Sequence, residues 1–320
     1  MIELLSYGAF FLTVALTYAI ICLGLNVQWG QTGLFNVGVA GFVAIGAYTS
    51  AILTTPDDPV RLGGFGLPIA LGWLGAAAMA GLLSVLVGLL TIRLRADYLA
   101  IATFGVAVVV QLCALNLEPI TGGPFGIGFI PRPFGWLAEN RFTFAMLNLG
   151  LVVLTTLAVY LGLERLLRSP WGRVLRAIRE DEQAALALGK NAFSFRLQAF
   201  AIGGAIMGLA GAVQAHFIGF IAPENYVPML TFQVWAMLIV GGSGNNGGAV
   251  LGAVLVWAVW AASAALISAV VPPEMQARAA ALQIVMIGLA ICAMLLLRPR
   301  GILGEVRTVS RHVNKATGKK

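Results

Sequence analysis

Charged side chains are scarce in this sequence. They make up 10% of 320 residues, against 59% hydrophobic. A soluble domain carries about 25%, so the shortage excludes an ordinary soluble protein, and the mean hydropathy of +0.91 agrees. Where charge is missing says more. No Asp, Glu, Lys or Arg lies in the interior of any long apolar run, and Asp97, Glu118 and Glu164 stand at run ends. An ionisable group in mid-membrane costs roughly 2.5–3.5 kcal/mol and persists where a proton or ion path needs it. Its absence argues against proton-coupled transport. His216 is left as the sole relay candidate, and a lone His in a helix is more often a packing residue.

Catalytic and nucleotide-binding signatures are missing too. No G-x-x-x-x-G-K-[ST] phosphate cradle occurs, nor any zinc spacing, Ser/His/Asp set or paired carboxylates. No enzyme activity, cofactor or metal is therefore expected, and if the protein pumps, either a partner's ATP or an ion gradient drives it, the uncharged interiors arguing against the gradient. Cys22, Cys113 and Cys292 each sit in an apolar run without metal-ligand spacing and read as small hydrophobes. The first apolar run lacks a basic leader and a cleavage site, so it reads as a retained span. No 20–50-residue repeat indicates a solenoid.

What is present is long apolar runs. A crossing needs roughly 20 apolar residues. Residues 6–28, 66–92, 97–117, 142–163, 196–221 and 281–297 qualify. Residues 33–54 qualify weakly, interrupted by Asn36 and several glycines, and 229–271 is split by the glycine-rich stretch 241–248. The runs are apolar all round rather than alternating, so they are helices and not barrel strands. The expected fold is an all-α polytopic membrane protein of about eight to ten transmembrane helices: one transmembrane domain over 1–304, then a basic tail over 305–320. Uncharged polar residues within the runs (Asn26, Gln28, Asn36, Gln111, Asn116, Asn148, Gln214, Gln233 and Gln283) read either as interhelical bonds or as the lining of a path for a polar solute.

The net charge of +7 would raise nucleic acid as a partner, but its placement points elsewhere. Sixteen of the twenty Lys and Arg fall in 93–95, 164–196 and the C-terminal segment from 298. The positive-inside rule puts these three regions in the cytoplasm. Nine crossings place the N-terminus outside. If 33–54 is re-entrant, eight crossings place it inside. Both remain open from the sequence.

Residues 169–191 form the most informative segment. Ser169 suits an N-cap, Pro170 the first helical position and Gly189 the position after the end. The spacing predicts one amphipathic helix of about 19 residues over 170–188, with Val174, Ile178, Ala185 and Leu188 on one face. Arg176–Glu180 and Arg179–Glu182 are expected as helical ion pairs. The acidic run Glu180-Asp181-Glu182 favours a soluble protein partner over an anionic lipid surface.

This segment resembles the ATPase-docking loop of ABC importer permeases, whose loose E-A-A-x-x-x-G pattern here reads Gln183-Ala184-Ala185-x-x-x-Gly189. Other blocks extend the likeness in order: GQTGLFNVGVAGFVAIGAYTSA (30–51), RADYLAIATFGVAVVVQLCALNLEPITGGPFGI (95–127), GRVLRAIREDEQAALALG (172–189), VGGSGNNGGAVLGA (240–253) and LRPRGILG (297–304). Together they resemble the larger, LivM-like permease of branched-chain amino-acid ABC transporters, in the bacterial inner membrane. The resemblance implies a second, LivH-like permease, two ABC ATPases, a periplasmic binding protein and a small zwitterionic or neutral solute. Branched-chain or other neutral amino acids come first among the solutes, with urea or short amides as the alternative, and an ATP-independent carrier or channel behind both. It also implies ATPase coupling through Gly172, Arg173, Arg176, Arg179, Glu180, Asp181, Ala184, Ala185 and Gly189. The loop at Thr121, Gly122 and Gly123 is a candidate gate or binding-protein contact, although a plain Gly/Pro turn explains it equally. Asn36 is the pathway-lining candidate, because interrupted helices border transport sites.

Overall fold

A computed structural model describes residues 2–57, 63–137, 139–272, 275–298 and 301–305. The basic tail, Glu305 apart, lies outside the described residues. Twelve α-helices form among them: α1 (Ile2–Gln28), α2 (Val39–Thr54), α3 (Ile69–Thr91), α4 (Ala96–Asn116), α5 (Glu118–Thr121), α6 (Arg141–Arg168), α7 (Pro170–Glu180), α8 (Glu182–Ala187), α9 (Ala192–Ile218), α10 (Pro228–Gly241), α11 (Asn246–Val270) and α12 (Gln276–Leu297). Six of these, α1, α3, α4, α6, α9 and α11, are long and apolar enough to cross a bilayer. The protein is thus a multi-pass, all-α membrane protein.

α1, α2 and α9 fill the centre and are extensively buried, whereas α4, α6 and α11 leave broad apolar faces open. Lipid is as apolar as leucine, so close packing rather than hydrophobicity holds such helices together. Small residues supply the approach. Gly46 meets Gly208 backbone to backbone, and Gly203 and Gly24 meet so closely that a Cβ on either lies 2.6–2.7 Å from the other's carbonyl oxygen. Gly248 lies equally tight under α10, a Cβ there falling 2.7 Å from the Gly241 oxygen.

One end of the bundle collects the arginine-rich segments. Arg93 stacks over Phe193 at 5.0 Å, and the loop after α1 lies against Arg179 and Gly244. The chain after α12 pairs there with α10, Ile302 and Leu303 donating to the carbonyls of Val240 and Gly241 at 2.9 Å. The far end of α2 instead meets the start of α3, where Gly72 sits against Ser50 and Thr54. Residues 29–54 therefore run from the arginine-rich end to the opposite one. They traverse the bundle as an extended elbow followed by a short helix, and are not re-entrant. Nine segments traverse it among the described residues, with the start of α1 at the arginine-poor end.

Candidate pathway, hub and docking surface

The elbow before α2 starts a helix inside apolar surroundings, where water cannot satisfy the first N–H groups. Side chains do so instead. Asn36 Oδ1 accepts from Gly38 N at 2.7 Å, Thr103 Oγ1 of α4 from Val37 N at 3.0 Å, and Thr231 Oγ1 of α10 from Ala40 N at 3.0 Å. Asn36 Nδ2 donates to Gln28 Oε1 at 2.6 Å, Gln28 Nε2 to the Phe200 carbonyl at 2.8 Å, and Trp235 Nε1 to the Asn36 carbonyl at 2.9 Å. Asn36 is fully buried, and every polar group on its side chain serves this break.

A second polar cluster joins elements at the arginine-rich end. Asn26 Nδ2 donates to Asn246 Oδ1 at 2.9 Å while Asn26 Oδ1 accepts from Gly244 N at 2.8 Å. Gln31 Nε2 donates to the Gly244 carbonyl at 3.0 Å, and Asn246 Nδ2 to Glu164 Oε1 at 3.0 Å. The elbow, the α10–α11 turn and the end of α6 are thereby tied into one hub.

The candidate docking segment, residues 169–191, differs from the single helix expected. Ser169 caps α7, accepting from Trp171 N at 3.2 Å, and Pro170 opens it. The helix then breaks at Asp181, whose backbone is extended and whose carboxylate caps α8 by accepting from Ala184 N at 3.0 Å. A side chain that can bond its own downstream N–H competes with a continuing helix. α8 ends in a left-handed turn at Gly189 (φ 73°), with Gly189 N bonded to the Leu186 carbonyl at 2.9 Å and Lys190 N to the Ala185 carbonyl at 3.1 Å. This paired closure is the glycine-dependent helix stop.

The break rearranges the faces. Gly172, Leu175, Ile178 and Ala185 are buried, but Leu188 is 79% exposed rather than on the packed face. Arg173, Glu180, Asp181, Ala184 and Gly189 point outward, and Arg176 is half-buried. The expected Arg179–Glu182 helical pair gives way to partners outside the segment. Arg179 bonds Glu305 at 2.8 Å, and Glu182 bonds Arg196 at 2.7 Å. Separating residues 179 and 182 by the Asp181 kink removes the i,i+3 geometry such a pair needs.

At the other end, Thr121 is buried with its hydroxyl on the Ala114 and Leu117 carbonyls at 2.7 and 2.8 Å. Gly122 and Gly123 both take positive φ, which a side chain would oppose. The loop they begin pairs with the chain after α9 through Ile127 and Ile221 at 2.8–2.9 Å. His216 is buried. Its Nδ1 lies 2.7 Å from the Pro131 carbonyl, which only accepts, so its Nε2 takes the proton of Ser50 Oγ at 2.8 Å. It is a packing residue that pins the loop. Beside it an open depression of about 980 Å³ is lined by Asp57, Phe125, Phe129, Arg132 and Phe220, among others.

The structure thus brings Asn36 into the elbow and Thr121–Gly123 into the outer loop, while the docking residues divide between buried, outward and inward positions. Thr103, Thr231 and Glu305 were not foreseen. Hydroxyls inside apolar runs were the only signal for the first two.

A helical bundle with a polar-capped break and a short helical segment at its arginine-rich end defines a polytopic membrane protein. The family described as branched-chain amino acid transport system / permease component matches residues 8–295. The chain is 35% identical over 318 residues to the high-affinity branched-chain amino acid transport system permease protein LivM of Escherichia coli, covering 92% of this chain and 69% of that one. It is 30% identical over 274 residues to the probable LivM permease of Methanocaldococcus jannaschii, covering 73% and 75%. It is 25% identical over 263 residues to the LivH permease of Salmonella typhimurium, covering 80% and 84%. No solved structure matches it. The chain belongs to the branched-chain amino acid transport system permease family, and is a non-catalytic membrane subunit.

Proposed function

We propose that this chain is one of two permeases of an ATP-driven importer in a bacterial plasma membrane, carrying branched-chain or other neutral amino acids. A LivH-like permease completes the pathway, two ABC ATPases dock at the arginine-rich end, and a periplasmic binding protein delivers solute at the other. The observation that carries the reading is the α7–α8 segment, which presents Arg173, Glu180, Asp181, Ala184 and an exposed Leu188 away from the bundle. An apolar residue ringed by mixed charge suits a protein partner better than lipid headgroups. The charge-free span interiors suit a zwitterion or neutral solute driven by a partner's ATP rather than by an ion gradient. The outer depression, with Asp57 and Arg132 among aromatic rings, supports the loop after Thr121 as the receiving surface.

Affinity capture of the tagged protein in mild detergent, followed by mass spectrometry, tests the assembly. Recovery of a second permease and ABC ATPases, with ATP-dependent uptake of labelled leucine in proteoliposomes, is expected. Recovery of the chain alone, with uptake surviving ATP depletion, would overturn the reading. A relative named as a nucleoside ABC transporter permease of Lactococcus lactis, 28% identical over 203 residues, makes nucleosides the competing solute to include in that assay.

A further inference from the structure

Arg179 sits within the docking segment but faces the bundle. Its Nη1 donates to the Gly30 carbonyl in the elbow, and its Nη2 donates to both carboxylate oxygens of Glu305 at 2.8 and 2.9 Å. Its side chain is only 23% exposed. Among the described residues, it is the one side chain of α7 or α8 bonded to the elbow. The guanidinium is a planar fork held by three charge-assisted or backbone bonds, so movement of α7 pulls on both partners once the side-chain stem is taut.

Both partners are fixed in turn. Glu305 follows the backbone pairing of residues 302–303 with α10 and packs over Gly244. Gly30 is pressed against the same turn, where a Cβ would lie 2.5 Å from Gly244 N. From Gly30 the bonds run onward: Thr32 to the Gln28 carbonyl, Asn36 to Gln28, and Gly38 N to Asn36 at the start of α2. Among the described residues, Arg179 is therefore the side-chain link from α7 to the elbow, whereas Trp171 and Glu182 bond α9 through Gln198 and Arg196.

We propose that Arg179 is a positioning residue that delivers movement of α7 to the elbow and hence to α2, rather than a contact with the ATPase. The proposal rests on the importer reading above. ATPase closure displaces α7, Arg179 pulls on Gly30 with Glu305 as its brace, and the elbow shifts α2 against α9.

The test uses the complete importer in proteoliposomes, reading leucine uptake and ATP hydrolysis together. Arg179→Met is expected to capture the ATPases and hydrolyse ATP within about twofold of wild type, while uptake per ATP falls by about tenfold. Glu305→Gln leaves Arg179 in place and should lower the ratio less, Arg179→Lys should recover part of it, and the double substitution should be no worse than Arg179→Met. An unchanged ratio in both single variants, or equal losses of uptake and hydrolysis, would overturn the proposal. A wild-type assembly with no ATP-driven uptake would overturn the importer reading itself, and this inference with it.

Discussion

Gly203→Ala tests the approach of α9 to α1 in the core. A Cβ at 203 lies 2.6 Å from the Gly24 carbonyl oxygen, 2.6 Å from Gln28 Cγ and 2.9 Å from Gln28 Cδ. Ordinary contact needs roughly 3.5 Å, so α1 and α9 must part by nearly an ångström and Gln28 must shift as well. Overpacking costs about 1–3 kcal/mol, and the first obstacle is backbone that cannot rotate away. Displacing Gln28 also unmakes its bonds to Phe200 and Asn36, adding about 1–3 kcal/mol. The gain in helix propensity returns at most about 1 kcal/mol. The net loss is about 1–5 kcal/mol, or about 2–7 °C of melting temperature for a chain of this length. Gly105→Ala and Gly150→Ala are the controls, because nothing lies within 4 Å of a Cβ at either. Thermal unfolding in detergent, read by fluorescence-detected size exclusion, decides the matter. Gly203→Ala melting with wild type, or Gly105→Ala falling as far, would refute the packing described for α1 and α9.

Asn36→Ala strands Gly38 N and Gln28 Oε1 and should lower stability by about 2–4 kcal/mol in the same assay; lost uptake at unchanged stability would instead assign Asn36 to the solute path. His216→Phe leaves the Pro131 carbonyl and Ser50 hydroxyl without their partner and should cost about 1–3 kcal/mol, part of it recovered by adding Ser50→Ala. Reversing Arg173 and Arg176 to Glu should abolish ATPase capture while shifting stability by no more than about 0.5 kcal/mol. Capture at the wild-type level would remove α7 from the docking surface. Ser169→Ala should cost about 1 kcal/mol through its cap, and an unchanged melting temperature would show that α7 is held by packing alone.

Composition and charge placement were enough to read the class of protein and most of its spans. A charge-free apolar run has no stable alternative to a membrane helix, and arginine placement identifies one end of the bundle. The stops at Gly189 and at 241–248 were equally legible, because glycine takes the left-handed backbone of a helix stop at least cost, as φ 73° at Gly189 illustrates. The tertiary structure alone decided what the interrupted stretch 33–54 does, since its orphan N–H groups are met by Thr103 and Thr231 from distant parts of the chain. It also decided that the helix expected over 170–188 breaks at Asp181 and that Arg179 turns inward to Glu305, 126 residues away. Local periodicity carries the hydrophobic pattern of a single helix. It carries nothing of which buried polar group will find which partner across the bundle, and that pairing sets the elbow, the hub and the path between them.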